Sequence, residues 1–286
     1  MKDKRTLTYT IKNATPTTLG EWLDTHQFPR KTMKELFAGN SVRLDGQICT
    51  AKSGLSEGMV LEIIPLKERI DHEPIEMPLV IVYEDEDILI VDKPSGITMN
   101  SKDQVSLANG VAYYFKTHKI YGKVRFLNRL DRDTSGLVVV PKHGLAQHFY
   151  QLQMDDNRLE KWYRATVQGR LIQQHEILEL PIRKSADGIH QEVHPKGVMT
   201  KTEYEVLHYD AMQDTTDVCI RLWTGKTHQI RVTMAHIGHP LVHDPLYATS
   251  ETLVEDDVKA STTFALRAYH LVCYHMRTGE QIVVEV

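Results

Sequence analysis

Apolar positions near the start of the chain fall first at helical spacing and then at strand spacing. Pro16, Thr17 and Thr18 precede Leu19-Gly20-Glu21-Trp22-Leu23, and Thr18 with Glu21 three residues on has the form of a capping box that opens a helix. After Phe28-Pro29, Met33, Leu36 and Phe37 make one apolar stripe, with Gly39 placed to end a second helix. Val42-Arg43-Leu44 and Gln47-Ile48-Cys49 then flank Asp45-Gly46, a pair suited to a two-residue hairpin turn, and residues 59–64 read as another strand. Pro65, Pro74 and Pro78 with intervening charges mark 65–78 as a linker. Beyond it, residues 79–83 and 88–91 read as strands, the second running into a turn at Pro94-Ser95-Gly96. The run Leu137 to Val140 has a buried strand's composition, and Tyr163, Ala165 and Val167 alternate along another. Thr227 is a credible N-cap for a helix whose stripe is Ile230, Met234 and Ile237. Two units follow from these patterns, 1–70 and 71–286.

Composition narrows the class. With 41% hydrophobic and 25% charged residues the 286-residue chain is expected to fold as an ordinary globular protein. Its longest apolar runs are short, so neither a membrane span nor an export signal is expected, and three widely spaced cysteines fit a reducing cytoplasm. The formal charge of -4 alone argues mildly against a polyanionic partner, but it is unevenly placed. Residues 1–70 hold 11 Lys+Arg against 8 Asp+Glu, so the excess of positive charge lies in the front unit. Arg30, Lys31, Lys34 and Arg43 sit off its apolar stripe, as a solvated face or as phosphate contacts.

Residues 125–136 form a polar, charge-rich loop ahead of the buried strand. Asp131 lies in it between Arg129 and Arg132, where cationic neighbours favour the ionised form of a nucleophile or base. His236, His239, His243 and Asp244 invite a metal reading, but Gly238 and Pro240 break the spacing that would align them, so no metal is expected. The acidic runs 84–87 and 255–257 read as solvated loops.

The order of helix, basic helix, Asp-Gly hairpin and closing strand over residues 16–64 resembles the S-four (alpha-L) RNA-binding domain. The run 128–136, N-R-L-D-R-D-T-S-G, resembles the H-R-L-D-x-x-T-S-G signature of the RluA-type pseudouridine synthases. Further stretches agree in order: residues 91–96, V-D-K-P-S-G; 161–165, K-W-Y-R-A; and 224–231, T-G-K-T-H-Q-I-R, continuing to 244–247, D-P-L-Y. The resemblance implies an α+β fold with a mixed, largely antiparallel central sheet, flanking helices and a cleft, preceded by a small N-terminal α/β RNA-binding domain. It implies that Asp131 attacks or primes the target nucleotide, Tyr163 stacks on the uracil, Arg231 pairs with the aspartate and Arg129 displaces the base, with Ile230 among the substrate contacts. Attack on the anomeric carbon, attack on the uracil ring and removal of a sugar proton all remain open.

The expected partner is structured RNA, ribosomal ahead of transfer RNA, acted on by a monomer without a cofactor. Asn128, Lys226, Thr233 and Arg267 depart from the family pattern, and residues 97–100 lack its common Val-His-Pro. These departures motivate one competing expectation, a catalytically weak RNA-binding or ribosome-assembly factor that kept the fold; another is a hydrolytic nucleosidase, since the same carboxylate chemistry with water admitted would release uracil.

Overall fold

Local sequence signals account for the front unit, as seen in a computed structural model that describes residues 4–12, 17–248 and 264–286. Thr18 Oγ1 accepts the Glu21 N–H at 3.4 Å while Glu21 Oε2 accepts the Thr18 N–H at 3.2 Å, and this reciprocal cap opens α1, Leu19–Thr25. Helix α2, Arg30–Ala38, buries Met33 and Leu36 as its stripe requires. Gly39 ends it, but with a φ of -85°; the left-handed residue is Asn40, φ 53°. Strands β2, Val42–Leu44, and β3, Gln47–Ile48, meet through Asp45 and Gly46, both at positive φ as a type I′ turn demands. Strand β4, Val60–Ile63, pairs not only with β2 but with β1, Leu7–Thr10, giving the order β1-β4-β2-β3. Pro16 and the 255–257 acidic run lie outside the described residues.

Strands β5 to β14 build one ten-stranded sheet. They are β5 (Val80–Glu84), β6 (Ile88–Lys93), β7 (Ser135–Pro141), β8 (Glu160–Gln168), β9 (His175–Lys184), β10 (Gln191–Val193), β11 (Val198–Asp210), β12 (Thr215–Leu222), β13 (Leu266–Tyr274) and β14 (Gln281–Glu285). Their order is β10-β9-β11-β12-β8-β13-β7-β6-β5, with β14 beside β13, and only β7 with β13 is parallel. The fold is therefore α+β with a mixed, mainly antiparallel sheet. Both faces are covered at β6 and β7. Leu89, Val91, Val138 and Val140 face α3, Leu107–Thr117, while Ile88, Ile90, Leu137 and Val139 face α4, Gly144–Asp155. Double burial is why these strands are continuous apolar runs rather than alternating ones. The parallel pair comes so close that a Cβ on Gly136, φ 116°, would lie 2.1 Å from the Ala268 carbonyl oxygen, so only glycine fits there.

The front unit is packed on the large sheet unit. Leu145 of α4 belongs to the front unit's apolar cluster, and Phe149 meets Phe28 edge to face at 5.1 Å between centroids. Residues 65–78 are irregular, as a linker should be, yet pinned: Asp71 accepts the Val124 N–H at 3.0 Å and Glu68 pairs with Arg125.

A buried charge cluster closes the seam. Arg277 makes a bidentate pair with fully buried Asp87 and also donates to the carbonyl of Thr6 at 3.1 Å, while His143 Nε2 lies 2.9 Å from Asp87. Burial alone would raise the Asp87 pKa, but hydrogen bonds from Arg277 and His143 outweigh it and bring it down to about 2. A depressed carboxylate pKa adds stability above its unfolded value and loses it as pH falls through the folded one. Urea titrations should therefore show the stability gap between wild type and Asp87→Asn narrowing as pH falls from about 4 toward about 2, by roughly 2 kcal/mol in all. A gap that stays constant over that window would rule out the pair as a source of acid sensitivity.

Candidate active site

Asp131 is held by three devices that begin in the sequence. The Asn128 amide mimics a strand edge, donating to the Leu137 carbonyl and accepting the Val139 N–H, both at 2.9 Å, so this departure from the family pattern anchors the loop to β7. Lys93, fully buried at the end of β6, donates to the carbonyls of Pro94, Ile97 and Arg132, each at 2.9 Å. Burial lowers its pKa to about 8, against the pull of Asp133 and Asp131. Ser95 Oγ donates to the Asp133 carbonyl at 2.7 Å and the Gly96 N–H to that of Arg132 at 3.0 Å. The Asp-Lys-Pro-Ser-Gly turn is thus a cradle for the Asp131 loop.

Across from it stands α5, Gln229–His236. Gln229 fixes its start, accepting from Thr224 Oγ1 and the Lys226 N–H at 3.0 Å and donating to Thr202 Oγ1 at 3.0 Å. The N-cap is His228, not Thr227; it is left-handed at φ 55° and its side chain makes no capping bond. The side chain is turned instead toward the cleft.

The cleft measures about 780 Å³ and is lined by Met99, Phe126, Arg129, Asp131, His228 and Arg231 among others. Its base carries a smaller recess of about 40 Å³ bounded by Asp131, Tyr163, Leu222, Ile230 and Leu266, room for a few waters rather than a base. Asp131 is 26% exposed. Arg231, 4% exposed, reaches Asp131 Oδ2 at 3.5 Å, but its strong partner is Asp244, bound bidentately at 2.7 and 2.6 Å. His228 Nε2 lies 3.9 Å from the same Oδ2. Tyr163 is buried in β8, and burial, then the Asp131 charge, raises its hydroxyl's pKa far above the ordinary value.

Asp131, Arg129, Tyr163, Ile230 and Arg231 are therefore brought together, with differences from the sequence reading. Arg132 does not serve Asp131; it pairs with Asp133 at 2.9 Å. Arg129 is exposed and makes no ion pair among the described residues, leaving its guanidinium free over the cleft. Arg231 is committed first to Asp244, which the sequence reading weighed in a metal pattern and quoted in the 244–247 motif stretch without giving it a role. Asp244 accepts the Leu246 N–H at 3.0 Å as well, and His239 is bonded to the Gln168 carbonyl. His228 and Tyr247 were given no role either, although both stand inside motif stretches; for Asp244 the signal was the need of a buried arginine for a full counterion. Arg30, Lys31, Lys34 and Arg43 lie on the front unit, all exposed, with Arg30 paired to Asp24 at 2.9 Å. Of the other departures, Arg267 pairs with Asp92 at 2.8 Å, whereas nothing in the structure explains Thr233, whose buried hydroxyl has no hydrogen-bond partner among the described residues.

A family model described as RNA pseudouridylate synthase matches residues 87–236. The uncharacterized RNA pseudouridine synthase YjbO of Bacillus subtilis (strain 168) is 33% identical over 254 residues, covering 86% of each chain. Ribosomal large subunit pseudouridine synthase D of Escherichia coli (strain K12) is 32% identical over 275 residues, covering 88% of this chain and 84% of that one. Among solved structures, Human RNA Pseudouridylate Synthase Domain Containing 1 aligns with a TM-score of 0.61 at 25% identity over 75% of this chain and 86% of its own.

Proposed function

We propose, from the premise that the chain belongs to the RNA pseudouridylate synthase family, that it isomerises uridines in ribosomal RNA and that Asp131 is the carboxylate that does so. Membership makes the chain an RNA pseudouridine synthase, an isomerase acting on RNA. The observation that carries the finer reading is a partly exposed carboxylate, fixed from below by Asn128 and Lys93, at the junction of a wide cleft and a recess walled by Tyr163.

That geometry suits the chemistry. The reaction breaks the bond from uracil N1 to the sugar, turns the ring, joins C5 to the sugar, and exchanges the C5 hydrogen for one on N1. No electrons are gained or lost, so the reaction itself calls for no redox cofactor. The wall of Tyr163, Leu222 and Ile230 suits a detached ring that must turn without escaping, and stacking of a base on an aromatic ring contributes roughly 1 to 3 kcal/mol. Because the recess is smaller than a base, the ring enters only as the side chains at its mouth move aside. Free Arg129 fits the role of filling the space the flipped base leaves. Lys31, Lys34, Arg43 and Arg30 suit phosphate contacts further along the RNA.

Ribosomal RNA is favoured by the relatives named ribosomal large subunit pseudouridine synthase D, in Escherichia coli and in Haemophilus ducreyi (strain 35000HP / ATCC 700724). Purified protein incubated with unmodified ribosomal RNA or with transfer RNA should release hydrogen from uracil C5 only in the first case. Release from transfer RNA alone would overturn the substrate assignment.

A further inference from the structure

Two observations single out His228. The first is backbone strain: a non-glycine residue at φ 55° and ψ 19° heads α5 without capping it, a conformation that costs free energy and gives the helix nothing. The second is its set of partners. Nδ1 lies 2.9 Å from the Tyr247 hydroxyl, and that hydroxyl already accepts the Gln191 N–H at 2.8 Å. A phenol has one hydrogen to give, and among the described residues Nδ1 is an acceptor in its reach. Donation from Tyr247 to Nδ1 would use that hydrogen and put the imidazole hydrogen on Nε2, facing Asp131 Oδ2.

We propose that His228 is a positioning residue for Asp131: its Nε2–H, held toward the cleft by Tyr247, fixes Oδ2 together with Arg231 and leaves Oδ1 to the nucleotide. The inference rests on the functional reading above. Both face one oxygen, Arg231 at the limit of a hydrogen bond at 3.5 Å and His228 in ion-pair range beyond hydrogen-bond length at 3.9 Å, and among the described residues no hydrogen bond is made to the other oxygen. A carboxylate free to rotate offers either oxygen in any direction; one held at Oδ2 offers Oδ1 along a single line. Tyr247 is itself steadied on two sides, by the Arg231 guanidinium 5.1 Å from its ring centroid and by His190 edge to face at 5.6 Å. His190 is held in turn by Asp187 and the Leu246 carbonyl. The short hairpin of β9 and β10 thus reaches Asp131 through Gln191, Tyr247 and His228.

The groups facing the imidazole are Asp131, Asp244, Arg231, His190 and Tyr247, and burial, the largest influence, keeps its pKa below the ordinary histidine value. That direction favours the neutral ring, which the arrangement requires. Below its pKa, Nδ1 gains a hydrogen and Tyr247 must turn from donor to acceptor.

The test combines nitrogen chemical shifts of His228 with single-turnover rates from pH 5 to 8. Wild type should show an unprotonated Nδ1 at pH 7.5, and Tyr247→Phe should lose that uniform state. His228→Ala should cut the rate on the order of 10- to 100-fold, the loss that misplacing a reacting group by about 1 Å produces, with RNA affinity within about twofold. His228→Gln, whose amide N–H extends about as far as Nε2, should recover part of the rate and lack wild type's acid-side ionisation. A protonated Nδ1 in wild type, a His228→Ala rate within about twofold of wild type, or a loss confined to RNA affinity would each overturn the inference alone. Wild type with the Nε2–H tautomer but no pseudouridine formed would overturn the functional reading, and this inference with it.

Discussion

Asp131→Asn should bind RNA as wild type does and lose turnover by on the order of 10³-fold or more. The amide keeps the size and an acceptor oxygen, but it has neither the charge to attack carbon nor the basicity to take a proton. The loop should not move, because its restraints come from Asn128, Lys93 and Ser95 rather than from the Asp131 side chain. Uridine and pseudouridine have the same mass, so the measurement is nucleoside chromatography or hydrogen release from uracil C5, beside a binding titration. Turnover within about tenfold of wild type would remove Asp131 from the chemistry.

Asp244→Asn should be the most destabilising change near the cleft, at roughly 3 to 5 kcal/mol, because it leaves Arg231 buried without its counterion. Asp244 is fully buried and Arg231 nearly so, and Arg231 donates two hydrogen bonds that the Asp244 carboxylate accepts. The freed guanidinium would also turn to Asp131 Oδ2, already 3.5 Å away, and neutralise the carboxylate proposed to react. Urea midpoints and turnover should fall together. In the double variant Arg231→Met, Asp244→Leu stability should return while turnover does not, since a buried ion pair replaced on both sides loses its desolvation penalty as well as its attraction. An Asp244→Asn protein within about 1 kcal/mol of wild type would show the pair to be dispensable for folding.

Features set by neighbouring residues were legible in the sequence. The Thr18 cap, the Asp45-Gly46 turn and the Met33/Leu36 stripe each involve residues within four positions, so their physics is written locally. Strand β1 was not legible, because Leu7 finds its place only by pairing with Ile63, and neither was the parallel contact of Ala268 with Gly136. Helix α3 hides its start behind a capping box of Ser106 and Asn109, an amide where a glutamate or glutamine is looked for. At the site, the motif stretches named Asp131, Tyr163 and Arg231. What they could not supply was the ranking of partners: Arg231 lies a hundred positions from Asp131 but only thirteen from Asp244, and only the folded chain gives the nearer residue the two short bonds. The His228 cap is illegible for another reason, since propensity favours Thr227 and a left-handed histidine is a choice made by its tertiary partners.

The shared core of Leu145, Phe149 and Phe28 packs the front unit against α4 of the sheet unit rather than leaving it on a tether. A tethered module would search for RNA on its own and tolerate many spacings, at an entropic cost each time both sites engaged. On the functional reading proposed above, such packing would work instead as a caliper: with the α2 cations and Asp131 held apart at one offset, an RNA touching both would have to present its uridine at that offset. Selection then falls on the three-dimensional shape of the RNA before any base is read. Lengthening residues 65–78 should do little to widen the choice, whereas loosening the Phe28–Phe149 contact should.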